Sequence, residues 1–468
     1  MQSIPIPKAF REKMTGILGP GEAAQLMESL ESTNPVVGVR MHPEKSCVLK
    51  KSGERIPWTR GGWLLPERPA FTLDPGYHGG AYYVQDPSSM LLEWICNRLP
   101  NQEHAPLVLD MAAAPGGKSL ILADWVREQG GLLVANEVIR TRQPLLRHNL
   151  ARWGAGRVLT SGKEAQCFIG LASRFDVVLL DAPCSGEGLF RKDQRARLAW
   201  SPDHVKHCSL RQRRILAPLI ALLRAGGVFL YSTCTFNPEE NDEQVRWLCQ
   251  QYPLEVIQLP IPEVWGIVST PAGGLQCFPH RIAGEGFYLA ALIKTTENSD
   301  ARPEVRAKGN RKPLWQPTIP PETFLGEKSG LNAYSREDGQ VVGLPREAES
   351  LFFQVSRYLP EASPALQMGN WRGRDFLPAA ELALSPWVFS ETPRWNLERY
   401  EALVFLKKEV PDCLPMAKGW GLATYGGLPL GWYKHAGGRL INHFPKAWRI
   451  LKDLPRREDL PPLPFGYE

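Results

Sequence analysis

The chain has 468 residues, with 55 Lys and Arg against 49 Asp and Glu and a formal charge of +6. Its 43% hydrophobic and 22% charged residues describe an ordinary globular chain, long enough for more than two domains. The charged opening, MQSIPIPKAFREKM, carries no apolar signal segment, and no run of about 18 apolar residues follows. A cytoplasmic protein without a membrane span is therefore expected.

In chain order, residues 1–95 open on a helical pattern over 9–30 and continue through Pro- and Gly-rich segments. Apolar runs then alternate with helical patterns. LVLD (107–110) precedes a small-residue loop and a helix to about Arg127, and LLVAN (132–136) precedes a helix over 139–152. RVLT (157–160) follows, and VVLLD (177–181) leads into the loop APCSGEG. A long helix over 203–224 ends at Gly226-Gly227, VFLYS (228–232) precedes a helix over 239–251, and FYLAALIK (287–294) closes the region. Strand alternating with helix predicts an α/β fold with a doubly wound parallel sheet. Residues 296–322 are polar, basic and Pro-rich and read as a linker. Beyond it, short apolar segments, tryptophans and glycine turns predict one or two small β-rich modules, 323–392 and 393–468.

The nine cysteines are scattered and show no zinc-ligand spacing, so reduced thiols are expected and no metal site. Two chemical constellations stand out. The first is LVLDMAAAPGGKS. Ala112, Ala113, Ala114, Gly116 and Gly117 leave room for a ligand to approach the backbone, and the following helix N-terminus suits a carboxylate or phosphate. By pattern alone the loop also fits a tight packing turn, since it is neither a P-loop nor a full GxGxxG. Glu137, ending the next strand, suits the hydroxyls of a ribose and favours a nucleoside-containing cofactor.

The second constellation is a pair of thiols. Cys184 follows VVLLD and Asp181, and Cys234 follows VFLYS in YSTCTFNPEEN. Loops after parallel strands face one crevice. Asn237, Pro238 and Glu240 suit the N-cap, N1 and N3 positions of the next helix, an environment that favours thiolate. A buried apolar role fits either cysteine alone; their paired placement favours chemistry. A thiolate, an acid and a nucleoside cofactor fit alkylation of an unreactive pyrimidine carbon: thiolate addition at C6 of cytosine makes C5 nucleophilic. Cys96, Cys208 and Cys249 read as packing residues.

AAAPGGK (112–118), DAPCSG (181–186) and STCT (232–235) with NPEEN (237–241) resemble the NOL1/NOP2/Sun family of S-adenosylmethionine-dependent RNA cytosine-C5 methyltransferases. YYVQDPSSM (82–90) and FPHRIAGEGFYLAALIK (278–294) resemble its flanking motifs. DAPCSGEGLFRKD and the ending GWYKHAGGRLINHFPKAWR are similar to the bacterial RsmF-type branch, which methylates cytosine in the decoding region of 16S ribosomal RNA. The resemblance implies a Rossmann-like methyltransferase domain (96–295), an N-terminal α+β RNA-binding domain (1–95) and a C-terminal β-rich, PUA-like extension. It implies Cys234 as the C6 nucleophile, Cys184 as the cysteine that assists product release, and Asp181 as the acid near the cytosine ring and the methyl group. For the cofactor it implies Ala112, Ala113, Ala114, Pro115, Gly116, Gly117 and Lys118 as the loop and Glu137 as the ribose ligand.

Two positions depart from the pattern. Where relatives carry a third cofactor acid this chain has Lys163, with Glu164 beside it; either Glu164 serves or the contact is made by backbone. The family's RVN appears as VRMH around Arg40, with His42 in place of Asn. Arg191, Lys192, Arg211, Arg213 and Arg214 are candidate phosphate contacts, as are Lys434, Arg439, Lys446 and Arg449 among Trp432, Tyr433 and Trp448. The expected partner is 16S rRNA, within the small ribosomal subunit, met by a monomer. A transfer-RNA methyltransferase and a non-catalytic RNA-binding assembly factor are the alternatives. A DNA-methyltransferase reading would make Cys184 the nucleophile.

Overall fold

The computed structural model describes residues 4–31, 36–45, 47–50, 53–100, 104–296, 314–321, 324, 330–388 and 390–467. Most of the 296–322 segment lies outside the described residues; Gln316–Thr318 within it forms an edge strand.

A ten-stranded sheet organises the molecule. Five parallel strands stand side by side in the order Leu223–Thr233, Phe175–Asp181, Leu107–Asp110, Leu132–Asn136, Val158–Ser161. These are the apolar runs of the sequence, and nearly every residue in them is buried, as a sheet covered on both faces requires. Phe287–Lys294 joins antiparallel beside Leu223–Thr233. Leu107–Asp110 sits where the strand order reverses, which opens a crevice beyond its C-terminal end. Both ends of the chain's design meet here, because the loops carrying the small residues, Asp181 and Cys234 all leave the sheet on that side.

Several element boundaries differ from the sequence expectation, each for a local reason. The N-terminal helix is two helices, Lys8–Leu18 and Pro20–Glu31, broken at Gly19 with φ of 79° before a proline. The helix expected over 139–152 spans Gln143–Trp153. Glu137 accepts from Ile139 N at 2.8 Å, and Gln143 Nε2 donates to Glu137 O at 2.8 Å, so the preceding residues are turned toward the acid. The long helix is Pro202–Ile220, with Ser201 accepting from His204 N. The strand that follows starts at Leu223 and bulges before Val228. A Cβ at Gly227 would lie 3.0–3.2 Å from three carbonyl oxygens, which is why glycine stands there. The helix expected over 239–251 is a 3-10 turn, Pro238–Glu240, followed by Asp242–Gln251.

The two N-terminal helices pack Phe10, Met14, Leu26 and Leu30 against Phe190, Trp200 and Phe236, residues next to the two cysteine loops. A four-stranded sheet completes the N-terminal part. The C-terminal part holds a five-stranded and a four-stranded sheet, in agreement with the β-rich expectation. It also repairs the edge of the central sheet, because Ser363–Pro364 pairs antiparallel with Val158–Ser161. The chain end closes back on the N-terminal part: Phe465–Gly466 pairs with Val48–Leu49, and Tyr467 OH donates to Asp74 Oδ2 at 2.6 Å.

Candidate functional site

At the first strand end, the loop 112–117 turns sharply through Pro115 and Gly116, whose φ of 123° is reserved for glycine. The helix Gly117–Glu128 begins there without a side-chain cap, so its first N–H groups are left for a ligand. Glu137 is buried and aimed at the loop. Its carboxylate accepts from Ala114 N at 3.3 Å and pairs with Arg142 at 3.4 Å. Lys163 is held through its backbone: its N–H donates to Asn136 Oδ1 and its carbonyl accepts from Asn136 Nδ2, each at 2.9 Å. Its ammonium lies 3.8 Å from Glu361, and Glu164 is exposed.

Asp110 was not singled out by its sequence context. It ends the strand LVLD, is 1% exposed, and accepts from Ser119 Oγ at 2.6 Å and Ala112 N at 3.3 Å. Burial pushes its pKa up to about 7, eased by Ser119 and raised further by the Asp181 carboxylate. A carboxyl group with a raised pKa favours the folded state below the unfolded value, and that contribution is lost as pH rises through the folded one. We expect Asp110→Asn to flatten the fall in Tm of the wild-type protein between about pH 4 and pH 7, worth up to about 4 kcal/mol. Parallel Tm–pH curves for the two proteins would refute this.

At the second strand end, Asp181 accepts from Ser232 Oγ at 2.7 Å and pairs with Lys118 Nζ at 2.9 Å. Burial works against the Lys118 ammonium, but Asp181 more than offsets it and holds the lysine pKa above its ordinary value. The helix start after the 112–117 loop and the acid of the DAPC motif are thus joined by a half-buried ion pair. Cys184 and Cys234 come together with their sulfurs 3.1 Å apart, and Cys234 N points to Cys184 Sγ at 3.4 Å. The hydrogen bond to Cys234, with burial, raises the Cys184 pKa well above the usual thiol range, so Cys184 keeps its proton. Cys96 and Cys277 are buried packing residues whose thiols are raised by burial. Among the described residues no group of His, Cys, Asp and Glu could hold a metal ion.

Some candidate RNA contacts are spent inside the protein. Arg191 is buried and paired with Glu285 at 2.9 Å, so it is unavailable to phosphate. Arg40 is buried between Asp124 (2.6 Å) and Glu93 (3.4 Å). His42 bonds Trp153 O at 2.9 Å and is kept neutral chiefly by burial. The VRMH stretch therefore joins the N-terminal part to the helix pair Gly117–Glu128 and Gln143–Trp153. Trp432 and Tyr433 are 1% exposed: Tyr433 packs in the core of the last module and Trp432 in a core built mostly by Phe324 and residues 331–383, whereas Arg211, Lys446 and Arg439 remain exposed.

A switch-point crevice with a small-residue loop, a buried acid ending the next strand and an uncapped helix N-terminus defines an S-adenosylmethionine-dependent methyltransferase. The two-cysteine centre beside it narrows the class. The family model for the 16S rRNA methyltransferase RsmB/F matches residues 97–293, that for the N-terminal domain of RsmF residues 6–87, and that for the RsmF PUA domain residues 392–450. The chain is 31% identical over 419 residues to the ribosomal RNA small subunit methyltransferase F of Klebsiella pneumoniae (strain 342), covering 84% of this chain and 83% of that protein. It is 30% identical over 408 residues to the protein of the same name from Salmonella heidelberg, covering 84% of each. A methyltransferase homologue from Pyrococcus horikoshii superposes with a TM-score of 0.51 at 28% identity, over 62% of this chain and 95% of that one. This chain belongs to the RsmB/F family of 16S rRNA methyltransferases and is an RNA methyltransferase.

Proposed function

We propose that this protein methylates C5 of cytosine in the decoding region of 16S ribosomal RNA, through a covalent bond between Cys234 and cytosine C6. The observation that carries the reading is the meeting of Cys184 and Cys234 sulfurs at 3.1 Å beside the Lys118–Asp181 pair. A methyltransferase acting on oxygen or an exocyclic nitrogen has no use for a thiol nucleophile.

The cofactor is S-adenosylmethionine, and the residues present fit it. The uncapped N-terminus of Gly117–Glu128 suits its carboxylate, and the buried Glu137 carboxylate suits its ribose hydroxyls. Ala112, Ala113, Ala114, Pro115 and Gly116 line the approach. When bound, it supplies an electrophilic methyl group on a sulfonium. Cys234, as thiolate, forms the S–C6 bond. Asp181 is assigned the ring-nitrogen edge, where hydrogen bonding or protonation moves electron density to C5. C5 so activated takes the methyl group, forming the C5–CH3 bond as the methyl–sulfur bond breaks and a neutral thioether leaves. Loss of the C5 proton to a base breaks the S–C6 bond and restores the ring, with Cys184 assisting departure of the Cys234 sulfur.

The target base must leave its stack to reach these groups. We assign RNA binding to residues 1–95 and to the PUA-like module 393–468, with 96–295 as the catalytic domain, 296–322 as a linker whose Gln316–Thr318 adds an edge strand to the next sheet, and 323–392 as a module that shares a core with the last one. The protein acts as a cytoplasmic monomer on the small ribosomal subunit. The decisive experiment supplies tritiated S-adenosylmethionine with small subunits, naked 16S rRNA or transfer RNA from a strain lacking the gene, followed by bisulfite mapping. Label as 5-methylcytosine near the decoding centre is the expected result. Label confined to transfer RNA, or to another atom of the base, would sink the proposal.

A further inference from the structure

The two cysteine loops are cross-gripped by two buried glutamates to which neither the cofactor nor the cytosine gives a task. Glu187 follows Cys184 on the first loop and is 0% exposed. Its Oε2 accepts from Thr235 Oγ1 at 2.7 Å, Phe236 N at 2.8 Å and Asn237 N at 3.1 Å, the three residues after Cys234. Its Oε1 accepts from Asn237 Nδ2 at 2.9 Å and Trp200 Nε1 at 2.8 Å. The neighbouring Gly188 N donates to Cys234 O at 2.8 Å. A Cβ on Gly188 would lie 2.9 Å from that oxygen and 2.6 Å from Gly286 O, so the approach admits only glycine.

The grip is returned from the other loop. Glu240, also fully buried, accepts from Ser185 N at 3.0 Å, the residue after Cys184, and from Gln212 Nε2 at 2.8 Å. Asn237 Nδ2 lies 2.9 Å from each glutamate and bridges them. A buried carboxylate is costly unless its acceptor sites are filled, and five donors fill those of Glu187. Four of the five come from the nucleophile's own loop, more than is needed to tie down one turn.

We propose that Glu187 is a positioning residue for the reaction, and that the Glu187–Asn237–Glu240 cross-clamp sets the spacing of the Cys184 and Cys234 sulfurs. The proposal rests on Cys234 being the nucleophile. Glutamine at 187 keeps the shape but puts an NH2 against other donors: Asn237 Nδ2 and Trp200 Nε1 at one position, or the backbone N–H groups of Phe236 and Asn237 at the other. The loop must shift, and a displacement of about 1 Å costs on the order of 100-fold in rate.

The test measures steady-state methylation and, separately, iodoacetamide labelling of each cysteine by mass spectrometry. The exposed Cys167 and Cys413 serve as internal references. Glu187→Gln is expected to lower kcat about 100-fold with KM for S-adenosylmethionine within about twofold, and to change Cys234 labelling relative to the references. Thr235→Val removes one donor with little change of shape and keeps the question open to measurement should Glu187→Gln fail to fold. It is expected to lower kcat about tenfold, and Thr235→Ser to recover most of that loss. A folded Glu187→Gln protein with wild-type kcat and wild-type Cys234 labelling overturns the clamp. So does a loss in Thr235→Val that Thr235→Ser does not recover. Turnover surviving in Cys234→Ala would instead overturn the nucleophile assignment, and the labelling comparison would still report on the clamp.

Discussion

Cys184→Ala protein, incubated with S-adenosylmethionine and substrate rRNA, should run on a denaturing gel as a covalent protein–RNA adduct, while Cys234→Ala should show neither adduct nor methyl transfer. The two sulfurs lie 3.1 Å apart, so either cysteine is close enough to serve the other. What separates them is their surroundings. Cys184 retains its proton because the Cys234 sulfur and burial both disfavour its thiolate. With its thiolate disfavoured it stands as a proton donor, and a donor beside a departing sulfur favours elimination. Removing it leaves attack and methyl transfer intact and stops the reaction at the bonded stage. Removing Cys234 deletes the proposed nucleophile, and losses on the order of 10⁴-fold or more accompany such deletions. An adduct in Cys234→Ala but not in Cys184→Ala would exchange the roles, as the DNA-methyltransferase pattern requires.

Much of this centre was legible in the sequence because its parts sit where the strands end. Five buried parallel strands are read from apolar runs, and the doubly wound order brings their following loops to one crevice. Cys184, Cys234, Asp181 and the 112–118 loop are therefore placed together by topology alone. What the sequence hid is the pairing of polar groups across elements. Arg191 stands among other cations and reads as a phosphate contact, yet it pairs with Glu285, far along the chain. Glu240 reads as a helix N3 residue, and Glu187 carries no signal beyond its place in the loop APCSGEG. Their partners lie on each other's loops, and no periodicity announces a hydrogen bond between residues 48 to 55 positions apart. Asp110 showed only as the polar end of an apolar strand. Its environment follows from Asp181 and Ser119, which the crevice brings to it. Trp432 and Tyr433 illustrate the opposite failure: in a small β-module aromatic residues are first of all core.

Asp181→Asn should lower kcat about 1,000-fold while leaving the KM for S-adenosylmethionine within a few-fold, and Glu137→Ala should do the reverse, raising that KM with a modest effect on kcat. The two acids divide the crevice. Glu137 faces the cofactor loop through Ala114 N and pairs with Arg142, a half-exposed side chain that a ribose could displace. Asp181 is proposed for the reacting centre: Ser232 and Lys118 fix its two oxygens, and Ser232 lies two residues before Cys234. Asparagine preserves the acceptor for Ser232 but presents neutral charge to Lys118, whose side chain is only 17% exposed and whose charged form is supported by that carboxylate. The substitution thus removes the acid proposed for the cytosine edge and unbalances the lysine at once, and proton-transfer groups of this kind are worth about 10²–10⁴-fold. Steady-state kinetics with saturating rRNA, varying the cofactor, separates the outcomes. A normal kcat in Asp181→Asn with a raised cofactor KM would move Asp181 from the reaction to the cofactor site and leave the ring-nitrogen edge to another group.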